Sequence, residues 1–144
     1  MNTRQPEQPD SPAGSQPPRV VDSEDRPFWE ALDRGQLTLA RCLCGACYAR
    51  SQACLSCGGT AEGLRWVSVS GRGHVRTYVV FDKPYHPYFA ARLPYCVAVV
   101  ALEEGPEIVT NVIECAPDAV YIGQEVEVFA AVRDGQVLPQ ARPR

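Results

Sequence analysis

The chain has 144 residues, 45% of them hydrophobic, which is enough to bury one core of ordinary domain size. Its formal net charge is -3, with arginines scattered along the sequence, so no basic stripe is available to hold a phosphate backbone. Nucleic acid is a poor default partner.

Residues 1–20, MNTRQPEQPDSPAGSQPPRV, are rich in Pro, Gln, Ser and Asp and lack the apolar run of a signal peptide or membrane span. The expected location is the cytoplasm. Such a segment offers little apolar surface to offset the entropy lost on ordering, so residues 1–22 are expected as a disordered tail.

VDSEDRPFWEALDRGQL follows, with Phe28, Trp29, Ala31 and Leu32 at helical spacing, Asp25 in capping position, Pro27 near the start and Gly35 as a stop. A short amphipathic helix is predicted. Phe28 and Trp29 are large for so small an element, and they either cover the neighbouring unit or meet another chain. QLTLARC then alternates as a strand, with Leu37 and Leu39 on one side and Thr38 and Ala40 on the other.

Five of the seven cysteines fall within CLCGACYARSQACLSC. Structural disulfides are uncommon in a reducing compartment, an odd number cannot pair completely, and no βαβ context supports a redox pair. Cys44-Gly-Ala-Cys47 and Cys54-Leu-Ser-Cys57 are two C-x-x-C units, whose tight turns can aim four soft sulfurs at one ion. The expected ligands are Cys44, Cys47, Cys54 and Cys57, with Cys42 as the alternative member. Zinc is the expected ion, and iron in a rubredoxin-like site uses the same geometry. A closed four-thiolate shell stabilises a small unit and leaves no position for substrate.

From Leu64 onward the pattern is β. LRWVSVSGRGHVRTYVVF is predicted to carry Val75, Thr77, Val79 and Phe81 on one strand face, with His74 opposite Val75. PYCVAVVAL and EIVTNVIE are apolar runs joined by the turn EEGP, with Cys96 and Cys115 as buried small hydrophobes. APDAVYIG reads as a helical turn, QEVEVFAAV as a strand, and Asp134-Gly135 as a hairpin turn. Five strands with one helical link before the last long strand fit an OB-type barrel, with a small sandwich as the alternative.

DKPYHPYFAARLPY, residues 82 to 95, is long for a barrel connection. Its Lys83, Tyr85, His86, Tyr88, Phe89 and Arg92 suit either a binding loop or an Ω-like loop packed on its own barrel. Gly71-Arg72-Gly73 is compact enough for a turn, and a phosphate contact from Arg72 is the weaker alternative. Neither histidine stands in a nucleophile, metal-protease or phosphate-loop motif.

The order FWEALDRGQLTLARC, paired knuckles, WVSVSGRGHVRTYVVF, LPYCVAVVALEEGP, IGQEVEVF and VLP resembles the zinc-ribbon plus OB-fold family of acyl-CoA-associated proteins, domain of unknown function number thirty-five. The resemblance runs from about Arg26 to Pro139. It departs in the first knuckle, compressed here to CLCGAC, and in lacking the proline pair that usually separates the knuckles. It implies a mainly β chain: a helix and rubredoxin-like zinc ribbon over 23–62, then an OB barrel over 63–141.

The resemblance also implies a non-catalytic subunit of a thiolase-superfamily enzyme, in some systems with a hot-dog-fold hydratase. Such partners include ketothiolases, acyltransferases and steroid side-chain aldolases, and the acyl-CoA lies at the shared interface. The 82–95 loop and the ribbon would then face the partner, with Phe28, Trp29 and Arg72 as further contact candidates. The competing expectations are a single-stranded nucleic-acid-binding OB module and a stand-alone acyl-CoA hydrolase or transferase.

Overall fold

A computed structural model describes residues 14–49 and 53–144. Helix α1 spans Arg26–Asp33 and buries Phe28, Ala31 and Leu32. Gly35, at φ +81, ends it by donating its N–H to the Leu32 carbonyl at 2.8 Å, as a C′ glycine does. The Asp25 side chain does not cap the helix, contrary to expectation. Its carboxylate instead accepts the Asp22 N–H at 3.0 Å, tying down the chain that enters α1.

Strands β1 (Thr38–Cys42), β2 (Cys47–Tyr48) and β3 (Leu64–Ser68) form an antiparallel sheet in the order β2-β1-β3. As the central strand, β1 buries Thr38, Leu39, Ala40 and Cys42 and exposes only Arg41. Strand β3 pairs with β1 through Leu39↔Val67 and Ala40↔Trp66, so the first strand of the segment expected as barrel completes the ribbon sheet.

The remaining five strands are β4 (Arg72–Phe81), β5 (Tyr95–Leu102), β6 (Glu107–Val112), β7 (Glu125–Arg133) and β8 (Gln136–Pro143). They close into a barrel in the order β4-β5-β6-β8-β7, with β7 returning to β4. Every pairing is antiparallel except β6 with β8, where Asn111↔Gln140 and Val112↔Ala141 run parallel. A short 3-10 turn at Pro117–Ala119 lies between β6 and β7. This is the expected mainly β, OB-type arrangement. Strand β5 shows its logic plainly, because Cys96, Ala98, Val100 and Leu102 alternate inward and are all buried.

Strand β4 does not keep one face. A bulge between Val75 and Thr77 inserts Arg76 without a β5 partner, so Val75 pairs with Val100 and Thr77 with Val99. Val75 is fully buried while Thr77 and Val79 are exposed, which corrects the single face predicted for Val75, Thr77, Val79 and Phe81. The extra residue moves everything after it to the opposite side. His74 is exposed and opposite Val75, as expected.

The glycines flanking Arg72 belong to the barrel seam. A Cβ on Gly71, at φ +77, would lie 2.0 Å from the Val128 carbonyl oxygen, and one on Gly73 would lie 2.4 Å from that of Ala101. Only glycine lets β4 pass so close to both neighbours. Asp134 and Gly135, at φ 45 and 82, make the two-residue turn that joins β7 to β8, as predicted.

Part of the expected tail is ordered against the domain. Arg19 donates its backbone N–H to Gln136 at 2.9 Å, Gln136 donates back to the Pro17 carbonyl at 3.1 Å, and the Arg19 guanidinium pairs with Asp33 at 2.7 Å. The rest of the predicted tail, residues 1–13, lies outside the described residues. Among the described residues no helix is long and apolar enough to cross a membrane.

Candidate metal centre

The chain builds the cysteine cluster from two similar turns. In the first, Cys42 N–H donates to the Ala46 carbonyl at 2.8 Å and Gly45 N–H to the Cys42 carbonyl at 2.9 Å. In the second, Cys54 N–H donates to the Gly59 carbonyl and Gly58 N–H to the Cys54 carbonyl, both at 2.8 Å. Gly45 and Gly58 both have positive φ, +95 and +73, and each directly follows a cysteine. The first turn is one residue shorter. Cys42 and Cys44 therefore correspond to Cys54 and Cys57.

The sulfurs of Cys42, Cys44, Cys54 and Cys57 lie within 4.8 Å of one another, close enough to hold a metal ion. Cys44 and Cys54 stand 3.5 Å apart, and Cys42 and Cys57 3.7 Å. Tetrahedral thiolates at a metal–sulfur length of about 2.3 Å would have sulfurs about 3.8 Å apart, so the donor set fits. Gly59 forms one wall, where a Cβ would come to 3.3 Å from the Cys57 sulfur.

Cys47, a member of the favoured ligand set, lies outside this group, and Cys42, the alternative member, lies within it. Sheet register gives the reason. Cys47 pairs across β1–β2 with Arg41, so the two side chains share a face, and Arg41 Nε donates to the Cys47 sulfur at 3.3 Å. Cys42, the next residue along β1, points to the other face. A glycine after the second cysteine of each turn was the sequence signal for this assignment.

The cluster distributes its protons unevenly. The Tyr48 hydroxyl, 3.4 Å from the Cys54 sulfur, and the Cys57 backbone N–H lower Cys54 to about 6. The Gly59 N–H pulls Cys57 down, but its contacts with the Cys54, Cys42 and Cys44 sulfurs outweigh that and push it up to about 12. Cys44 is also raised: the Ala46 N–H lowers it, and the contact with Cys54, with some loss of solvation, outweighs this. Four crowded sulfurs favour one thiolate among thiols, and a bound cation takes the place of the remaining protons.

The turns also carry two residues that composition did not single out. Leu43 is 86% exposed and Leu55 85%, one at the tip of each turn. Read from sequence alone, a leucine between two cysteines looks like filler.

The other predicted residues gather elsewhere. Phe28 is buried edge-to-face against Trp29, centroids 5.1 Å apart, and Trp29 lies under the Arg19 guanidinium. Tyr88 is buried with its hydroxyl on the Asp134 carboxylate, so the Phe28 and Tyr88 rings are both packed within this chain. Phe89 stacks on Tyr95 at 4.8 Å, His86 Nδ1 accepts the Tyr88 N–H at 3.1 Å, and Arg92 covers the Tyr88 ring at 3.9 Å while pairing with Asp134 at 2.7 Å. The 82–95 loop thus packs largely on its own barrel. Lys83, Tyr85 and Arg72 remain exposed. Among the described residues, no hydrogen bond, ion pair or ring contact joins this group to the cysteines.

A sulfur-clustered ribbon sheet running into a closed five-stranded barrel defines a ribbon-plus-OB protein. The chain belongs to the DUF35 family, as its resemblance implied. Residues 66–130 match the profile described as ChsH2, C-terminal OB-fold domain. The chain is 39% identical over 104 residues to a DUF35 domain-containing scaffold protein of Methanothermobacter thermautotrophicus, covering 70% of this chain and 77% of that protein. It is 36% identical over 134 residues to a probable enoyl-CoA hydratase alpha subunit of Thermomonospora curvata, covering 88% of this chain but 40% of that longer protein. Among solved structures, it superposes on a chain of the Ltp2-ChsH2(DUF35) aldolase with a TM-score of 0.76 at 31% identity, covering 88% of this chain and 98% of that one.

Proposed function

We propose that this protein is a non-catalytic accessory subunit that docks on a thiolase-superfamily enzyme acting on acyl-CoA in the cytoplasm. The observation that carries the reading is the pair Leu43 and Leu55, two apolar side chains held out in solvent on the cysteine turns. Two large apolar side chains exposed on turns whose sulfurs touch suit an apolar contact patch. The names scaffold protein and Ltp2-ChsH2(DUF35) aldolase, carried by its relatives, support the same reading.

Zinc is the proposed ion, held by Cys42, Cys44, Cys54 and Cys57. When bound, it supplies a rigid link between the two turns and no open coordination position. The chain's own residues hold the docking face: β1 fixes Cys42 from one side and Tyr48 orients Cys54 from the other. Exposed Tyr85, Lys83 and Arg72 are proposed to flank the acyl-CoA entrance of the complex.

The test is to tag the full chain in its native cells, recover it gently and identify what comes with it. A thiolase-superfamily enzyme in stoichiometric amount, and no acyl-CoA turnover by the isolated chain, is the expected result. Turnover by the chain alone, or recovery with no companion enzyme, contradicts the proposal.

A further inference from the structure

A cavity of about 300 Å³ opens at the end of the barrel, between the 82–95 loop and the segment that follows β6. Apolar groups line much of it, including Phe89, Tyr95, Ile113 and Pro117, and Arg133 at the end of β7 contributes the charge. Arg133 is half-buried. One of its terminal nitrogens donates to Asn111 Oδ1 at 3.1 Å, and that amide is fixed in turn by Asn111 Nδ2 donating to the Cys96 carbonyl at 3.0 Å. The Tyr88 and Phe89 rings stand 5.8 and 5.7 Å from its guanidinium carbon.

The charge is poorly balanced. Arg133 Nε is buried with no hydrogen-bond partner, and no carboxylate among the described residues lies within ion-pair distance of the side chain. Asp134, next in the chain, makes its direct contacts with Tyr88 and Arg92 and meets the Arg133 charge only through space, outside ion-pair distance. A neutral amide and two ring faces only partly replace the water a guanidinium loses on burial, and a carboxylate on the remaining terminal nitrogen offers the negative charge it lacks at contact distance.

We infer that this cavity is a binding site for a compact monocarboxylic acid, with the carboxylate on Arg133 and a short or flat apolar body against Phe89, Ile113 and Pro117. The volume lies at the small end of the range for ligand pockets, about 300–1,000 Å³, which suits a small acid rather than a nucleotide. A phosphate dianion would need a second cation, and Arg92, the other arginine of the cavity, is neutralised by Asp134. The inference concerns a site apart from the cysteine turns and stands whether or not the docking proposal holds.

Benzoate titrated into the isotopically labelled full chain tests it, with benzyl alcohol and phenyl phosphate as comparison probes. Saturable benzoate binding is expected to move the Arg133 Nε–H resonance and to weaken at least about tenfold in Arg133→Gln, the usual scale for losing a charge-assisted contact. Benzyl alcohol and phenyl phosphate should bind more weakly than benzoate. Absence of saturable benzoate binding, an unmoved Arg133 resonance, or equal or tighter binding of either comparison probe overturns the inference. If Arg133→Gln does not fold, the wild-type resonance and the probe ranking decide.

Discussion

Cys42 and Cys57 stand fifteen positions apart in the chain, yet their sulfurs lie 3.7 Å apart, each in a turn of its own. One comes from the end of β1 and the other from the second turn, and their contact, with that of Cys44 and Cys54 at 3.5 Å, joins the two turns. Without an ion, thiols this close can make only weak S–H···S contacts. With one, the turns become a rigid clip.

The clip presents Leu43 and Leu55, so changing both to glutamate should separate docking from folding. Leu43→Glu with Leu55→Glu is predicted to leave the melting temperature and metal content unchanged, because both side chains are already in water. The companion enzyme should no longer co-purify. Retention of the companion by the double variant would move the docking face elsewhere on the chain.

The barrel seam predicts a steep stability effect. In Gly71→Ala the new methyl would meet the Val128 carbonyl oxygen at a position with φ +77. Left-handed strain of about 1–2 kcal/mol adds to overpacking of about 1–3 kcal/mol. Denaturant unfolding should show a loss of about 2–5 kcal/mol on that sum. Gly135→Ala, which meets nothing nearby, should lose only the strain part. Equal losses in the two variants would show that the seam is looser than described.

Asp134 gives a pH signature. Its carboxyl is held below the ordinary carboxylate value of 3.8 by the Tyr88 hydroxyl first and by Arg92 next. A group lowered on folding contributes stability above its unfolded pKa and loses that contribution as pH falls through the folded value. Asp134→Asn keeps a residue that tolerates the left-handed turn but removes the charge. Thermal melts should therefore show wild type above the variant at neutral pH, with the gap closing below about pH 4. A gap that stays constant down to pH 2 would exclude the carboxylate as its source.

Most of the barrel was legible because β5 alternates cleanly and Asp134-Gly135 is a strong turn signal. The bulge at Arg76 was not, since one inserted residue leaves no mark in an apolar pattern yet moves Thr77 to the other face. That Cys42 joins the sulfur cluster while Cys47 stands apart depends on the pairing of Cys47 with Arg41, a register that spacing alone does not contain. Counting back from Gly45 and Gly58 would have found it. Arg133 escaped notice because its importance comes from the carboxylate it lacks, and a missing neighbour cannot be read from a linear sequence.

The most direct measurement is elemental analysis of freshly purified, folded protein beside Cys42→Ser, Cys47→Ser and Cys57→Ser. The account predicts about one zinc ion per chain in wild type and in Cys47→Ser, and loss of the metal in Cys42→Ser and Cys57→Ser. A metal-free wild type that is nonetheless folded, or a Cys47→Ser variant that loses the ion while Cys42→Ser keeps it, would contradict it.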